Sequence, residues 1–403
     1  MARILVLPGT AWQVALVQRA KDLGHNVYVV SPEKEPPCAK IADGFFCSDI
    51  FAVDAIVKYA VKNGIEAVVS DECDIAMPVV ACLGKRMGLH TLSCEAAELY
   101  TNKYLMREFC TRNGLKRPEY QLCRNADEAV AFLRDIGRPI IIKPLDSNAS
   151  HGVFKVETEE DVRGRFDESM SFSRNDSAIL AERYIDGVEF TIDGLKTANA
   201  HYTLAISEKK HFKHNPNIAN ELFFSHNNLS FDYEKLKAEN DAFVMASPLE
   251  YGFTHAEYKF EHGAFYLIEI GARGGGNMIS SVIAQFMSGH DTYRYLIDSA
   301  LNRPAESDFS IGETFKKKTA VLKFLETPNG GGIVKSISGL ECIKKDPMIR
   351  AFHLNFDVGD RIDEAKNDSA RIGFFIACAE TKEQLDTVRE KVDQTFRIEM
   401  LKQ

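Results

Sequence analysis

Two acids, Glu257 and Glu269, lie twelve residues apart on segments that read as consecutive strands, and the second opens the run Glu269-Ile270-Gly271-Ala272-Arg273-Gly274-Gly275-Gly276. Tyr266-Leu267-Ile268 before it is apolar, so Glu269 caps a strand that goes inside. A buried carboxylate costs free energy unless positive charge meets it. Two carboxylates can hold Mg²⁺, an arginine can hold phosphate or an anionic intermediate, and glycines admit a backbone close to a ligand. Taken alone, the same residues equally describe a buried Glu–Arg pair that ends a hairpin.

Other stretches carry usable chemistry. Lys143 ends the strand Ile140-Ile141-Ile142-Lys143-Pro144 and precedes Leu145-Asp146-Ser147-Asn148-Ala149-Ser150-His151-Gly152. Small residues there let successive backbone N–H groups converge on an anion, and Lys143 adds a point charge. The run is not a P-loop, because G-x-x-x-x-G-K-[ST] occurs nowhere in the chain. Lys103 and Arg107 sit four apart on one helical face, and Glu182 and Glu189 flank a strand–turn–strand. A solvated lysine and a plain edge hairpin are the simpler readings of these two, although such an acid can accept from an exocyclic amine or a ribose hydroxyl. Glu72 and Asp74 follow a strand end and read as a substrate-facing pair or a solvated acidic loop. His211, His214 and His226 fall in the polar stretch 207–228, which reads as a surface loop and lacks the helical spacing of a metal site.

The elements that must position these groups follow from pattern. Strand 3–7, helix 11–23, strand 27–30, helix 53–63 and strand 66–70 alternate with short loops, which implies a parallel sheet covered on both faces. Its ligand crevice would lie near Gly9, Ser31 and Ser70-Asp71-Glu72. After Leu7 there is only Gly9, so the dinucleotide fingerprint G-x-G-x-x-G is missing and NAD or FAD binding is disfavoured. Helices follow over 78–88, from Ser93, and over 126–136, then strands 140–144 and 153–156 and a charged helix within 157–177. Strands are expected in 179–195 and 199–206, a helix at 231–246, and strands at 253–260 and 264–270. Helix 278–301 should break near Ser288-Gly289-His290; strands 319–325, 333–337, 354–356 and 372–378 and helix 381–394 close the chain.

Bulk properties narrow the function. A length of 403 residues suggests two or three domains. The net charge of −9 opposes nonspecific binding to nucleic acid. No apolar run is long enough to span a bilayer, and Met1 to Leu7 reads as a first strand rather than a signal peptide. The 9 cysteines include no CxxC pair, so free buried thiols and a cytoplasmic location are expected, with neither a zinc site nor a disulfide framework.

In order along the chain, these pieces resemble the ATP-grasp superfamily, specifically carboxylate–amine ligases near the L-amino acid ligases, with carbamoyl-phosphate-synthase-like and biotin-carboxylase-like relatives. The resemblance covers nearly the whole chain. It implies an α/β protein, α+β in the nucleotide module, with a Rossmann-like domain over 1–100. An ATP-grasp domain over 101–315 would follow, with a mobile lid at about 115–180, then a small α+β C-terminal domain over 316–403. Thr101-Asn102-Lys103-Tyr104-Leu105-Met106-Arg107 is similar to the family's first nucleotide-facing helix, whose lysine contacts phosphate. Lys143 resembles the second nucleotide lysine, and the loop to Gly152, with Ser147, Ser150 and His151, the one that covers the phosphates. Ala181-Glu182-Arg183-Tyr184-Ile185 resembles the adenine hinge, where Glu182 and backbone groups of Arg183 and Ile185 meet the base; Glu189 matches the ribose acid. Glu257 and Glu269 match the carboxylates that hold Mg²⁺, or Mn²⁺ in its place. Arg273 and Lys143 match catalytic groups at the phosphoryl transfer.

The resemblance implies that ATP activates a small carboxylate as an acylphosphate and that an amine displaces phosphate, in amino-acid or dipeptide-type ligation by a homodimer. Arg273 with the N–H groups of Gly274 to Gly276 would stabilise the tetrahedral intermediate; Glu72 and His255 are candidates for the base. One position departs: the family often reads Glu-x-Asn, and here Gly271 stands where the Asn would complete a metal shell, with Asn277 as a substitute ligand. Gln-Val-Glu-His after the arginine, an internal duplication, Glu-Leu-Asn and Pro-Arg-Pro-His are all missing, which points away from biotin carboxylases, carbamoyl phosphate synthases, D-alanine ligases and purine carboxylases. Rival readings are an ATP-binding protein without ligase activity, a carbamoyl-phosphate-synthase-like enzyme on another small acid, and an oxidoreductase built on the leading βαβ units.

Overall fold

A parallel sheet opens the chain, with strands β1 (Arg3–Val6), β2 (Asn26–Ser31), β3 (Gly44–Cys47) and β4 (Ala67–Val69) in the order β3-β2-β1-β4. The computed structural model describes every residue except 148, 149, 175, 176, 307, 402 and 403. Parallel neighbours need crossovers, which the helices Val14–Asp22 and Val53–Asn63 supply. Both faces of the sheet are covered, so Ile4, Leu5 and Val6 are all buried, as in a near-continuous apolar strand. Helix Val53–Asn63 stops at Gly64, whose φ of +62° suits a residue without Cβ.

The second unit is an antiparallel sheet of β5 (Tyr120–Cys123), β6 (Ile140–Pro144), β7 (Phe154–Val156) and β8 (Ile179–Arg183), ordered β5-β8-β6-β7. Helices Ala126–Ile136 and Glu159–Met170 pack on it. The first buries Ala129, Val130, Phe132 and Leu133 at helical spacing, is capped by Asn125 accepting from the Glu128 N–H, and ends at Gly137. Its apolar cluster runs only from Cys123 to Ala181, so this unit carries a core of its own.

The third element is a large antiparallel sheet. Its strands are β9 (Val188–Lys196), β10 (His201–His211), β11 (Ala219–Ser225), β12 (Gly252–Glu261), β13 (Ala264–Gly271) and β14 (Thr319–Phe324). The chain continues through β15 (Gly331–Ser338), β16 (Ile349–Leu354), β17 (Arg361–Asp363), β18 (Gly373–Ala379) and β19 (Arg397–Met400). Eight strands lie in the order β13-β12-β9-β10-β11-β14-β18-β16, while β17-β15-β19 form a small sheet beside them. Strands beyond residue 316 thus extend the central sheet directly, through pairs such as Leu222↔Leu322 and Leu322↔Ile376.

Three local expectations are corrected. Residues 207–228 are largely strand: β10 runs on to His211 and β11 follows, because both strands carry polar residues on a face that is not solvent and so lack a clean apolar alternation. The helix expected over 278–301 does break where expected, at Gly289 with φ +77°, between Gln285–Ser288 and Thr292–Ala300, but its first stretch, Ile279–Ala284, is a π-helical turn rather than α-helix. The strand expected at 354–356 lies earlier, at Ile349–Leu354. The 9 cysteines are free; burial pushes the thiol of Cys38 up to about 12, which removes thiolate character. Among the described residues no helix is long and apolar enough to cross a membrane.

Candidate active site

A cavity of about 360 Å³ lies between the β5–β8 sheet and the large sheet. Strand geometry sets its lining. Alternate residues share a face, so β12 presents His255, Glu257 and Lys259, β9 presents Glu189 and Thr191, and β10 presents Lys209 and His211. Glu257 pairs in register with Glu269 across β12 and β13. Directly opposed side chains stand roughly 5 Å apart, and like charges there repel unless neutralised. Lys209 Nζ meets Glu257 at 2.6 Å, and Lys103 Nζ meets Glu269 at 2.8 Å.

Each cation is held by its own element. Lys103 is the first residue of the helix Lys103–Arg112, which Asn102 caps by accepting from the N–H groups of Tyr104 and Leu105. Its buried ammonium also donates to the Ser147 carbonyl at 2.6 Å, tying the helix to the loop after β6. Lys143 reaches Glu182 at 2.6 Å. Burial pulls the Lys143 ammonium down from its ordinary value, and Glu182 opposes this. Burial pushes Glu182 up, but Arg107 and Lys143 outweigh it and hold the carboxyl low. Glu189 follows the same balance: burial raises it, and Lys209, with His211 at 3.2 Å, holds it well below the usual range. For Arg273, burial is outweighed by Asp74, which accepts two bonds of 2.8 Å from Nε and Nη2 and raises its pKa.

Of the thirteen residues matched by sequence to nucleotide, metal or catalytic roles, eleven line this cavity: Lys103, Lys143, Ser147, Ser150, Glu182, Arg183, Ile185, Glu189, Glu257, Glu269 and Arg273. His151 and Gly152 do not; the His151 ring stacks on Phe172 at 5.8 Å and the Gly152 carbonyl accepts from Ser169. Asn148 and Ala149 of the same loop lie outside the described residues. The Arg183 guanidinium turns to Glu119 and Glu261, and its N–H donates to the Glu119 carbonyl at 2.9 Å, so that N–H does not face a base. The Gly274 and Gly275 N–H groups are likewise taken, by Asp71 at 2.8 Å and Asp193 at 3.1 Å, and not open to an oxyanion. His255 lines the cavity with Nδ1 2.8 Å from Asp193. Glu72 does not line it; it accepts from the Met278 N–H at 3.0 Å, and burial, then the Asp71 charge, pushes it up to about 8.

Sequence reasoning missed Lys209, Asp74's partnership with Arg273, and Asp368 with Arg371 on the far wall. Lys209 and His211 alternate in the sequence, which is the signal that could have marked β10. His211 and His226, expected as exposed loop histidines, are instead held inside: His211 on Glu189 and buried His226 on the Met287 carbonyl at 3.0 Å. Gly271 also gains a reason. A Cβ there would come within 2.7 Å of Asp74 Oδ1, so the leading unit's Asp74 occupies the space a side chain at 271 would need. Among the described residues no three His, Cys, Asp or Glu gather as a complete metal site. Two opposed carboxylates still fit Mg²⁺, which usually takes one or two carboxylates and completes its shell with nucleotide phosphates and water.

Comparisons with known proteins bear on the family and the fold. Residues 136–281 match the ATP-grasp domain family, and residues 325–400 match the L-amino acid ligase C-terminal domain 2. The phosphoribosylamine–glycine ligase of Thermococcus gammatolerans is 26% identical over 353 residues, 81% of this chain and 77% of that protein. The dapdiamide A synthase of Enterobacter agglomerans is 24% identical over 206 residues, 50% of this chain and 48% of the relative. Among solved structures, the L-amino acid ligase from Bacillus licheniformis superposes with a TM-score of 0.83 at 20% identity, covering 100% of this chain and 99% of its own. The phosphoribosylglycinamide synthetase from Anaerococcus prevotii gives 0.75 at 19% identity, covering 99% and 100%. These two likenesses establish the fold.

Proposed function

We infer that this chain, built on an ATP-grasp domain and an L-amino acid ligase C-terminal domain, is an ATP-dependent ligase that joins a small carboxylate to an amine. The observation that carries this reading is the opposed pair Glu257 and Glu269 in one cavity with Lys103, Lys143 and Arg273. Phosphoryl transfer asks the protein for charge neutralisation and alignment more than for covalent chemistry. Glu257 and Glu269 would hold Mg²⁺, which supplies neutralisation to the phosphates. Lys103 and Lys143, now paired with Glu269 and Glu182, would turn toward the nucleotide phosphates. Ile185 and Glu189 line the same cavity, and the family resemblance assigns them to base and ribose.

The carboxylate oxygen attacks the γ-phosphorus and ADP leaves. The amine then attacks the acyl carbon, phosphate leaves with the bonding pair, and the amine proton passes to a base. Arg273 would steady the oxyanion of that second step. His255 is the better placed of the two base candidates, since it lines the cavity. Amino-acid or dipeptide-type ligation is the substrate class that accords with the similarity to an L-amino acid ligase and a dapdiamide synthase. Free cysteines accord with a cytoplasmic setting. A homodimer is the assembly the family resemblance favours, and light scattering reads it directly.

The test is ADP and phosphate release with ATP, Mg²⁺ and pairs of amino acids, with products identified by mass spectrometry. Release dependent on both a carboxylate and an amine, with a condensed product, is expected. Nucleotide binding with no release under any pair would replace this reading with that of a nucleotide-binding protein.

A further inference from the structure

Arg371 stands just before β18 and lines the cavity beside Phe324 and Leu322 of β14. Its guanidinium lies over the Phe324 ring, 3.7 Å from the centroid, and pairs with Asp368. Its side chain is only 10% exposed, and its Nε–H, wholly buried, has no hydrogen-bond partner among the described residues. An arginine cannot shed its charge, and a donor left unmet away from water is costly. Burial pulls its pKa down, while the charges of Asp368 and, next, Glu257 act against this.

The surrounding contacts fix this arginine in place. Asp368 also accepts from the Ser150 hydroxyl at 2.7 Å, on the loop after β6. The preceding residues are tied to the β10–β11 connection, where His214 Nε2 lies 3.2 Å from the Ala365 carbonyl. Most other cations of the cavity are committed: Lys103 to Glu269, Lys143 to Glu182, Lys209 to two glutamates, Arg183 to Glu119 and Glu261, and Arg273 to Asp74 through two bonds, while Lys259 lies over the Tyr184 ring and 4.0 Å from Glu189. Arg371 shares one carboxylate and keeps an unmet donor.

We propose that Arg371 is an oxyanion-binding residue of this site, brought to the cavity by the C-terminal segment, with Asp368 as the positioning residue that orients it and ties it to Ser150. The inference rests on the nucleotide-site reading above. Two groups present the required oxyanion: the γ-phosphoryl group of ATP and the carboxylate of the substrate. A planar guanidinium stacked on an aromatic ring suits either, because its remaining donors point in one plane.

The experiment uses the full chain with Mg²⁺ and compares wild type with Arg371→Gln. Calorimetry gives affinities for ADP and for the nonhydrolysable β,γ-imido analogue of ATP. ADP release gives the half-saturating concentration of a pool of the standard L-amino acids. If the γ-phosphoryl group is the ligand, the analogue weakens by roughly tenfold or more, the scale of a charge-assisted hydrogen bond, while ADP holds. If the substrate carboxylate is the ligand, both nucleotides hold and the half-saturating concentration rises by a similar factor. All values within about twofold of wild type, or equal losses for ADP and the analogue, overturn the proposal. Should Arg371→Gln fail to fold, Arg371→Lys, which keeps the charge, is read in the same arms against the same limits. A wild type that binds neither nucleotide sinks the underlying site reading; a wild type that binds both, matched by the variant, sinks Arg371 alone.

Discussion

Two clusters of paired glutamate on one sheet, the part-buried Glu189 and Glu257 and the buried Glu221, are neutralised alike and differ in what they face. Lys209 bridges Glu189 and Glu257, each at 2.6 Å, inside the cavity. The next residue, Lys210, meets Glu221 at 2.9 Å, and Lys323 at 3.2 Å and Arg389 at 2.5 Å hold the same carboxylate. Lys210 and Lys323 are the cross-strand neighbours of Glu221, and Arg389 comes from the helix Lys382–Thr395. In both sets burial pushes the carboxyl up and the cations bring it down. Adjacent strand residues point to opposite faces, so Lys209 turns to the cavity and Lys210 to the helix. A closed ion pair can only stabilise; one that lines a cavity can exchange its partner for a ligand's charge. The pairing itself therefore marks no site, and the open space beside it does.

The comparison breaks most sharply in catalysis. Lys143→Ala or Glu269→Gln should lower turnover by about 10²–10³-fold, the cost of losing one group aimed at developing charge. Thermal midpoints should move little, because Glu182 keeps Arg107 and Lys103 keeps the Ser147 carbonyl. Wild-type turnover in either variant would remove the cavity's charges from the chemistry. Glu221→Ala should do the reverse, lowering unfolding free energy by about 1–3 kcal/mol while leaving ATP affinity unchanged. Lost ATP affinity at intact stability would show that the two sets are not separate.

A smaller effect sharpens the boundary of the cavity. Gly271→Ala must displace Asp74, whose Oδ1 would lie 2.7 Å from the new Cβ, and with it Arg273. Turnover should fall by up to about tenfold, since misplacing a catalytic group costs rate even without deleting it. An unchanged rate would mean that Asp74 does not set Arg273. The smallest effect is in pH. Glu221 titrates below its ordinary 4.5 in the folded chain, so its stabilising contribution is complete above that value and is lost as pH falls through the lower folded one. The difference in unfolding free energy between wild type and Glu221→Gln, followed by urea titration, should shrink steadily on acidification below about pH 4.5 and stay level above it.

Much of this was legible in the chain itself. The parallel leading sheet follows from strand–helix alternation, and most helices fell within a residue or two of their patterned spans, as at Ala126–Ile136. That Lys103, Lys143, Glu182, Glu189, Glu257, Glu269 and Arg273 form a series was also readable, because most sit at or near a strand or helix end with a recognisable neighbour, although Glu257 lies mid-strand in β12. The 207–228 stretch was not: a strand whose polar residues serve a cavity and a salt bridge looks like loop, and only pairing with β9 and β14 gives it shape.

Taken by itself, the sequence determined the order and kind of the functional groups and the elements that carry them, since periodicity, caps and turns are local properties. Tertiary structure alone decided who meets whom. Register across β12 and β13 sets Glu257 against Glu269, pairing of β10 with β9 brings Lys209 to both acids' face, and Asp74 reaches Arg273 from 199 residues away. Charge partners that far apart in the chain leave no periodic trace, because the free energy that joins them exists only once the sheets have closed around the cavity.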